Sequence, residues 1–172
     1  ETAGGGKYFL DLAFAMVGKM RGGPAKAAIL GSGMTGLISG SSIANTVTTG
    51  TFTIPIMKKT GFSKEKAGAI EVSSSVNGQL MPPVMGAAAF VMASFLGVTY
   101  FEVVKHAFLP AIISYVALFY ISHLEALKLN LKGMDDVDIP NLKKTFLSGL
   151  HFLIPIFVLV YMLVYLRFTA SY

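Results

Sequence analysis

Cysteine is absent from the 172 residues, which excludes disulfides, thiolate metal sites and cysteine nucleophiles and leaves redox compartment unreadable from thiols. Charge is scarce too: 13% of residues are charged, about half the share of an ordinary soluble domain. The three histidines are scattered. None of them, and no lysine, lies near the serines of residues 32–53, so an intramembrane serine hydrolase has no base at hand. The N-terminus lacks the basic region, single apolar core and small-residue cleavage site of a signal peptide, and the chain closes soon after Phe168. A piece of a longer protein is expected.

What is present suits a bilayer. Hydrophobic residues make up 53% and mean hydropathy is +0.64. The 18 glycines allow close helix approach, the nine methionines fill packing gaps, and the seven prolines supply breaks. An all-α, polytopic membrane protein is the fold class expected.

Residues 1–23 read as an interfacial amphipathic helix, because Lys7, Asp11, Lys19 and Arg21 interrupt a stretch too short to cross the hydrocarbon core. From Pro24 to Ser39 the chain reaches roughly 24 Å as helix, and from Thr46 to Lys58 roughly 20 Å. Both outer ends are basic, so the positive-inside bias makes residues 24–58 a re-entrant hairpin with its turn at Gly40-Ser41-Ser42. Residues 63–96 would extend roughly 50 Å as one helix, and the break falls at residues 77–83, where Pro82-Pro83 removes two donors. Together, residues 24–97 hold the hairpin, 24–58, and the broken helix, 63–96, as one part of the chain. Residues 98–125 hold a scaffold transmembrane helix, with a possible kink at Pro110, spanning residues 101–122. Residues 126–145 are a cytoplasmic loop. Residues 146–172 carry a last transmembrane helix, residues 147–168, that leads toward a missing second half. Eleven of the fourteen Lys and Arg fall on the proposed cytoplasmic side, leaving Lys105 and Arg167 outside and Lys7 unassigned. Tyr100, Phe101, Tyr165 and Phe168 then occupy the outer interface.

Gly31-Ser32-Gly33-Met34-Thr35-Gly36 matches the glycine pattern of a dinucleotide loop. The context fails, because the first carboxylate after it is Glu65, 29 residues beyond Gly36, and not the acidic residue about 20 positions on that a ribose needs. Helix packing is the better account of these glycines. Between Ser32 and Thr53 stand ten Ser or Thr residues and Asn45, with no charge. At a hairpin tip the last carbonyls of one arm and the first amides of the next lack partners, an arrangement that holds ions in transporters with discontinuous helices. The expected sodium site takes backbone carbonyls of Ser39 and Ser41 at the tip and of Gly78 and Met81 at the break. Asn45, Thr48, Ser74 and Asn77 are expected to line the adjacent substrate cavity. For any one Ser or Thr, bonding back to its own helix is the competing account. Glu71 is costly in a bilayer and either functional or in reach of a polar partner. His106, His123 and His151 suit interfacial positions better than a proton relay.

RGGPAKAAIL, SGSSIANTVTTGTFTIPIMKKTGF and GQLMPPVMGAAAFVMASFLGV resemble the large membrane subunit of tripartite ATP-independent periplasmic (TRAP) transporters, especially the fused permeases paired with TAXI-type binding proteins. The likeness runs over residues 18–125 and implies that residues 24–97 are part of a mobile transport domain. It implies sodium-driven, elevator-type secondary transport of an organic anion, usually a carboxylate, across the bacterial or archaeal inner membrane. The partners implied are a periplasmic TAXI-type solute-binding protein, the small membrane subunit or its fused equivalent, and membrane lipid; nucleic acid is not among them. The family's hairpin tip falls on residues 39–45 and its helix break on residues 78–83, while its second inverted repeat, with another hairpin and cation site, is missing here. A carrier of similar hairpin architecture that needs no binding protein, and a purely structural membrane subunit, are the competing readings. An enzyme is not expected.

Overall fold

The computed structural model describes residues 4–83 and 85–164. Eight α-helices follow one another: α1 Gly5–Val17, α2 Gly23–Ser39, α3 Ser42–Lys59, α4 Lys64–Leu80, α5 Ala87–Leu96, α6 Tyr100–Lys128, α7 Leu142–Ser148 and α8 Leu153–Val164. Short 3-10 turns over Asp136–Asp138 and Leu150–Phe152 complete the secondary structure, and no strand occurs among the described residues.

Helix starts have local causes. Ser41, Ser63, Thr99 and Asn141 each accept a backbone N–H three residues on, from Ala44, Lys66, Glu102 and Lys144, which satisfies a donor the helix start leaves orphaned. The Ser41 cap starts α3 at Ser42, earlier than the Thr46 read from sequence. Gly40, at φ 57°, ends α2 in the left-handed conformation that glycine adopts without a Cβ penalty. The break between α4 and α5 is shifted by a few residues: α4 continues to Leu80, residues 81–83, 85 and 86 are non-helical, and α5 begins at Ala87. There Gly86 N–H folds back over the prolines onto Gln79 O at 2.8 Å, and the Pro82-Pro83 bond is cis. Beyond Pro110 nothing stops α6 before Lys128, so it outruns the expected end at residue 122. The last expected helix divides at Gly149 into α7 and a helical run bent from it by 54°. Tyr165, Arg167 and Phe168, assigned above to the outer side, lie outside the described residues.

Among the described residues α6 alone is long and apolar enough to cross a membrane by itself, and α7 with the run beginning at Leu150 passes the same measure as a bent pair. With 17, 18 and 17 residues, α2, α3 and α4 reach roughly 26 Å each, short of a hydrocarbon core of about 30 Å.

Helix α2 is the hub, packed on α1, α3, α4 and α6. Its glycine motif explains how. A Cβ on Gly31 would meet Leu10 of α1 at 2.6 Å, one on Gly33 would meet the Tyr115 ring of α6 at 3.2 Å, and one on Gly36 would meet the Gly78 backbone of α4 at 2.5 Å. Each glycine admits a different helix, so the motif is a packing device. One apolar cluster joins Ala25, Ala28, Ile29, Met57, Phe62, Ala67, Ile70 and Ala126. Others set Leu10, Ala13, Phe14 and Val17 of α1 against Ala27, and Tyr8, Phe9 and Leu12 beside Phe152, Leu153 and Ile156.

The basic connections converge at one end. Gly22 N–H donates to Lys132 O and Met134 N–H to Gly18 O, which docks the segment after α6 onto the α1–α2 turn. Lys66 at the start of α4 pairs with Glu125 near the end of α6. Lys26, fully buried, donates to Arg21 O at 2.6 Å and lies 2.9 Å from His123 Nδ1. Sequence reading put these segments on one face, and the fold gathers them.

Candidate functional site

Helices α2 and α3, joined through residues 40–41, run antiparallel: Ser32 pairs with Asn45 and Thr49, while the earlier Ala25, Ala28 and Ile29 cluster with the later Met57. Helix α4 lies against both. Between the three helices the side chains are polar. Asn45, Thr49, Thr53 and Met57 recur every four residues along one face of α3 and are all buried. Opposite them α4 presents Glu71, Ser74, Ser75 and Gly78, and α2 presents Ser32, all buried.

Glu71 is fully enclosed, and its hydrogen-bond partners among the described residues are four neutral hydroxyls. Ser32, Thr49 and Ser75 donate to Oε1, the first and last at 3.4 Å, and Thr53 donates to Oε2 at 2.5 Å. Burying a carboxyl is tolerable only with such partners, since an unmatched charge away from water costs several kcal/mol.

One turn nearer the tip, Asn45 Nδ2 donates to Ser32 O at 2.9 Å. That bond sets the amide's orientation, because the flipped amide would place two oxygens against each other. Among the described residues, the buried Asn45 Oδ1 has no partner. Gly78 closes the same corner: a Cβ there would lie 2.8 Å from Asn45 Nδ2 and 2.9 Å from Ser32 O. Hairpin and broken helix therefore meet at Ser32, Gly36, Asn45 and Gly78.

The other expected site residues are spread around this corner. Ser39 is exposed, while Ser41 and Met81 are half-buried at the tip and at the start of the break. Ser41 O accepts Asn45 N–H at 2.9 Å, and Gly78 O accepts Met81 N–H at 3.2 Å. Thr48 bonds back to Ala44 O and sets its methyl toward Gly6 of α1. Ser74 bonds back to Ile70 O, and Asn77 accepts Ser114 Oγ of α6 at 2.8 Å. Sequence reading missed the assembly of Thr49, Thr53, Ser32 and Ser75 on Glu71. The signal available was the four-residue spacing of Asn45, Thr49 and Thr53.

Across residues 1–171 the sequence matches the family model described as tripartite ATP-independent periplasmic transporter, DctM component. The chain belongs to this family. It is a family of transporter permeases of the bacterial inner membrane, not of enzymes. Among its relatives, the uncharacterized protein YgiK of Salmonella typhimurium is 28% identical over 160 residues, 93% of this chain and 37% of that protein. The C4-dicarboxylate TRAP transporter large permease protein DctM of Vibrio cholerae is 40% identical over 83 residues, 48% of this chain and 18% of that protein. The protein of the same name from Pseudomonas aeruginosa is 29% identical over 128 residues, covering 73% and 30%. This DctM-family chain thus spans well under half the length of each of these relatives. The stretch shared with the Vibrio protein is the most similar of the three.

Proposed function

We propose that this chain is the part of a TRAP permease that carries one hairpin, and that the permease moves a small organic anion, a carboxylate, across the inner membrane by coupling it to sodium. Relatives named for C4-dicarboxylates supply the substrate class. In this reading α2 and α3 form a re-entrant hairpin, α4 and α5 a proline-broken transmembrane helix, and the pair moves as an elevator against α6. The basic end faces the cytoplasm. A TAXI-type periplasmic binding protein delivers the substrate, and the small membrane subunit or its fused equivalent completes the assembly.

The observation that carries the reading is Asn45. A buried carbonyl oxygen with no donor among the described residues, at the corner where Gly36 and Gly78 touch, is an acceptor in want of a cation. It cannot serve a carboxylate, which is itself acceptor-only. Asn45 therefore belongs beside the sodium, with carbonyls of Ser39, Ser41, Gly78 and Met81 as its other ligands, while Thr48, Ser74 and Asn77 stay on the substrate side.

The test is uptake by the full-length permease in proteoliposomes under an imposed sodium gradient. Asn45→Ala lowers the apparent sodium affinity by at least about tenfold, as loss of one good ligand to a cation implies, and Pro82→Ala lowers the uptake rate. Unchanged sodium dependence in both variants would leave the chain a structural subunit. Uptake that proceeds without any binding protein would favour the carrier of similar architecture.

A further inference from the structure

We infer that Glu71 is a proton-binding site inside the hairpin unit, built to be satisfied both with and without its proton. The argument rests on counting hydrogens. Each hydroxyl around Glu71 owns one proton. Thr49 Oγ1 can send its proton to Glu71 or to Asn45 O at 2.8 Å, and Thr53 Oγ1 can send its own to Glu71 Oε2 at 2.5 Å or to Thr49 O at 3.1 Å.

With the carboxyl ionised, Ser32, Thr49, Thr53 and Ser75 all point their protons at it. When a proton arrives from water on Oε2, that O–H donates to Thr53 Oγ1, and the Thr53 hydrogen turns to Thr49 O. No heavy atom has to move, and no polar group is stranded in either state. A carboxylate meant to stay ionised would be matched by a basic side chain, and among the described residues none bonds to Glu71.

The titratable and charged groups on the elements around it lie elsewhere. On α2 Lys26 is held by Arg21 O and His123, and on α3 Lys58 and Lys59 stand exposed at the far end. On α4 itself Lys64, Glu65 and Lys66 occupy the first turn, Lys66 on Glu125 of α6. Helix α6 adds Tyr115 and, nearer its ends, Tyr100, Glu102, Lys105, His106, Tyr120 and Lys128, and α1 adds Lys7, Tyr8 and Asp11. Ser32 joins the carboxyl to the tip corner, since its hydroxyl touches Glu71 and its carbonyl holds Asn45. The proposal rests on the transport reading only for its consequence, that uptake follows the same protonation.

Infrared difference spectra of the full-length permease in nanodiscs, titrated from about pH 9 to about pH 5, test the site without transport. A carboxylic-acid carbonyl band grows in on acidification and is missing in Glu71→Gln. In Thr49→Val, which removes a donor to Oε1 whose bond is stronger to the ionised than to the protonated carboxyl, the band's midpoint moves up by about one pH unit, a tenfold gain in proton affinity. Sodium-driven uptake by the wild type follows pH with the band's midpoint, and uptake by Glu71→Gln is flat. Identical difference spectra for wild type and Glu71→Gln overturn the proposal, as does a band that Thr49→Val leaves in place. If the wild type transports nothing, the transport reading falls and the band still decides whether Glu71 takes a proton.

Discussion

Helices α2, α3 and α4 enclose a group of polar side chains between them, whereas α6 and α8 turn apolar ones outward and enclose little polarity. Ser32, Asn45, Thr49, Thr53, Glu71, Ser74 and Ser75 are hidden, while Ile113 of α6 is 59% exposed and Phe157 of α8 is 72% exposed. In water both choices would be unfavourable, since buried polar groups must find partners and large apolar patches seek cover. In lipid both follow from one rule. An apolar side chain loses nothing by facing acyl chains, and a polar one is satisfied only by other parts of the protein. The two halves therefore answer one solvent, and the hairpin half differs in gathering polarity that is far denser than packing requires.

The sharpest way to break the comparison is at the contact that holds the polar half together. Gly36→Val drives a side chain into the Gly78 backbone, which cannot swing aside as a flexible side chain would. The expected cost exceeds about 3 kcal/mol, read as a large fall in the unfolding temperature of the purified permease together with loss of sodium-dependent uptake. A variant with normal stability would mean that hairpin and broken helix are not packed in the way described. The outward face of α6 is tested by Ile113→Lys, near the middle of the 29-residue helix. A lysine at the centre of a lipid-facing span costs about 2.5 to 3.5 kcal/mol on insertion scales, so membrane-inserted protein should fall steeply; full insertion would remove α6 from the lipid boundary. At the basic end the effect is smallest. Lys66→Ala removes a partly exposed ion pair with Glu125, of a kind worth little where water competes for both charges, and it should leave the unfolding temperature where it was. A clear drop would sharpen the comparison by showing that this end is covered in the whole permease.

Much of the architecture was legible because it is local. Gly40 and Ser41 stop one helix and start the next, and Pro82-Pro83 interrupts another, through backbone geometry that needs no neighbour. Errors of a few residues arose where hydrogen bonds decide: the Ser41 cap lengthens α3, and the return of Gly86 N–H to Gln79 moves the break past Leu80. Back-bonding by Thr48 and Ser74, entertained from sequence as the plainer account of such residues, is what those two hydroxyls do. The partner of Asn77, Ser114, stands 37 positions away and had no sequence signal. Nor could spacing reveal that Lys26 meets His123, 97 positions on.

By itself the sequence determined that the chain is helical, that a turn at Gly40-Ser41 and a break beside Pro82-Pro83 interrupt it, and that polarity concentrates between Ser32 and Thr53, because chain breakers, caps and composition act within a few residues. Only the tertiary structure decided what that polarity surrounds. Glu71 lies 18 to 39 positions from three of its four hydroxyl partners, and such distances are closed by α2, whose glycines at 31, 33 and 36 let separate helices approach until a lone carboxyl and a lone amide oxygen are enclosed together.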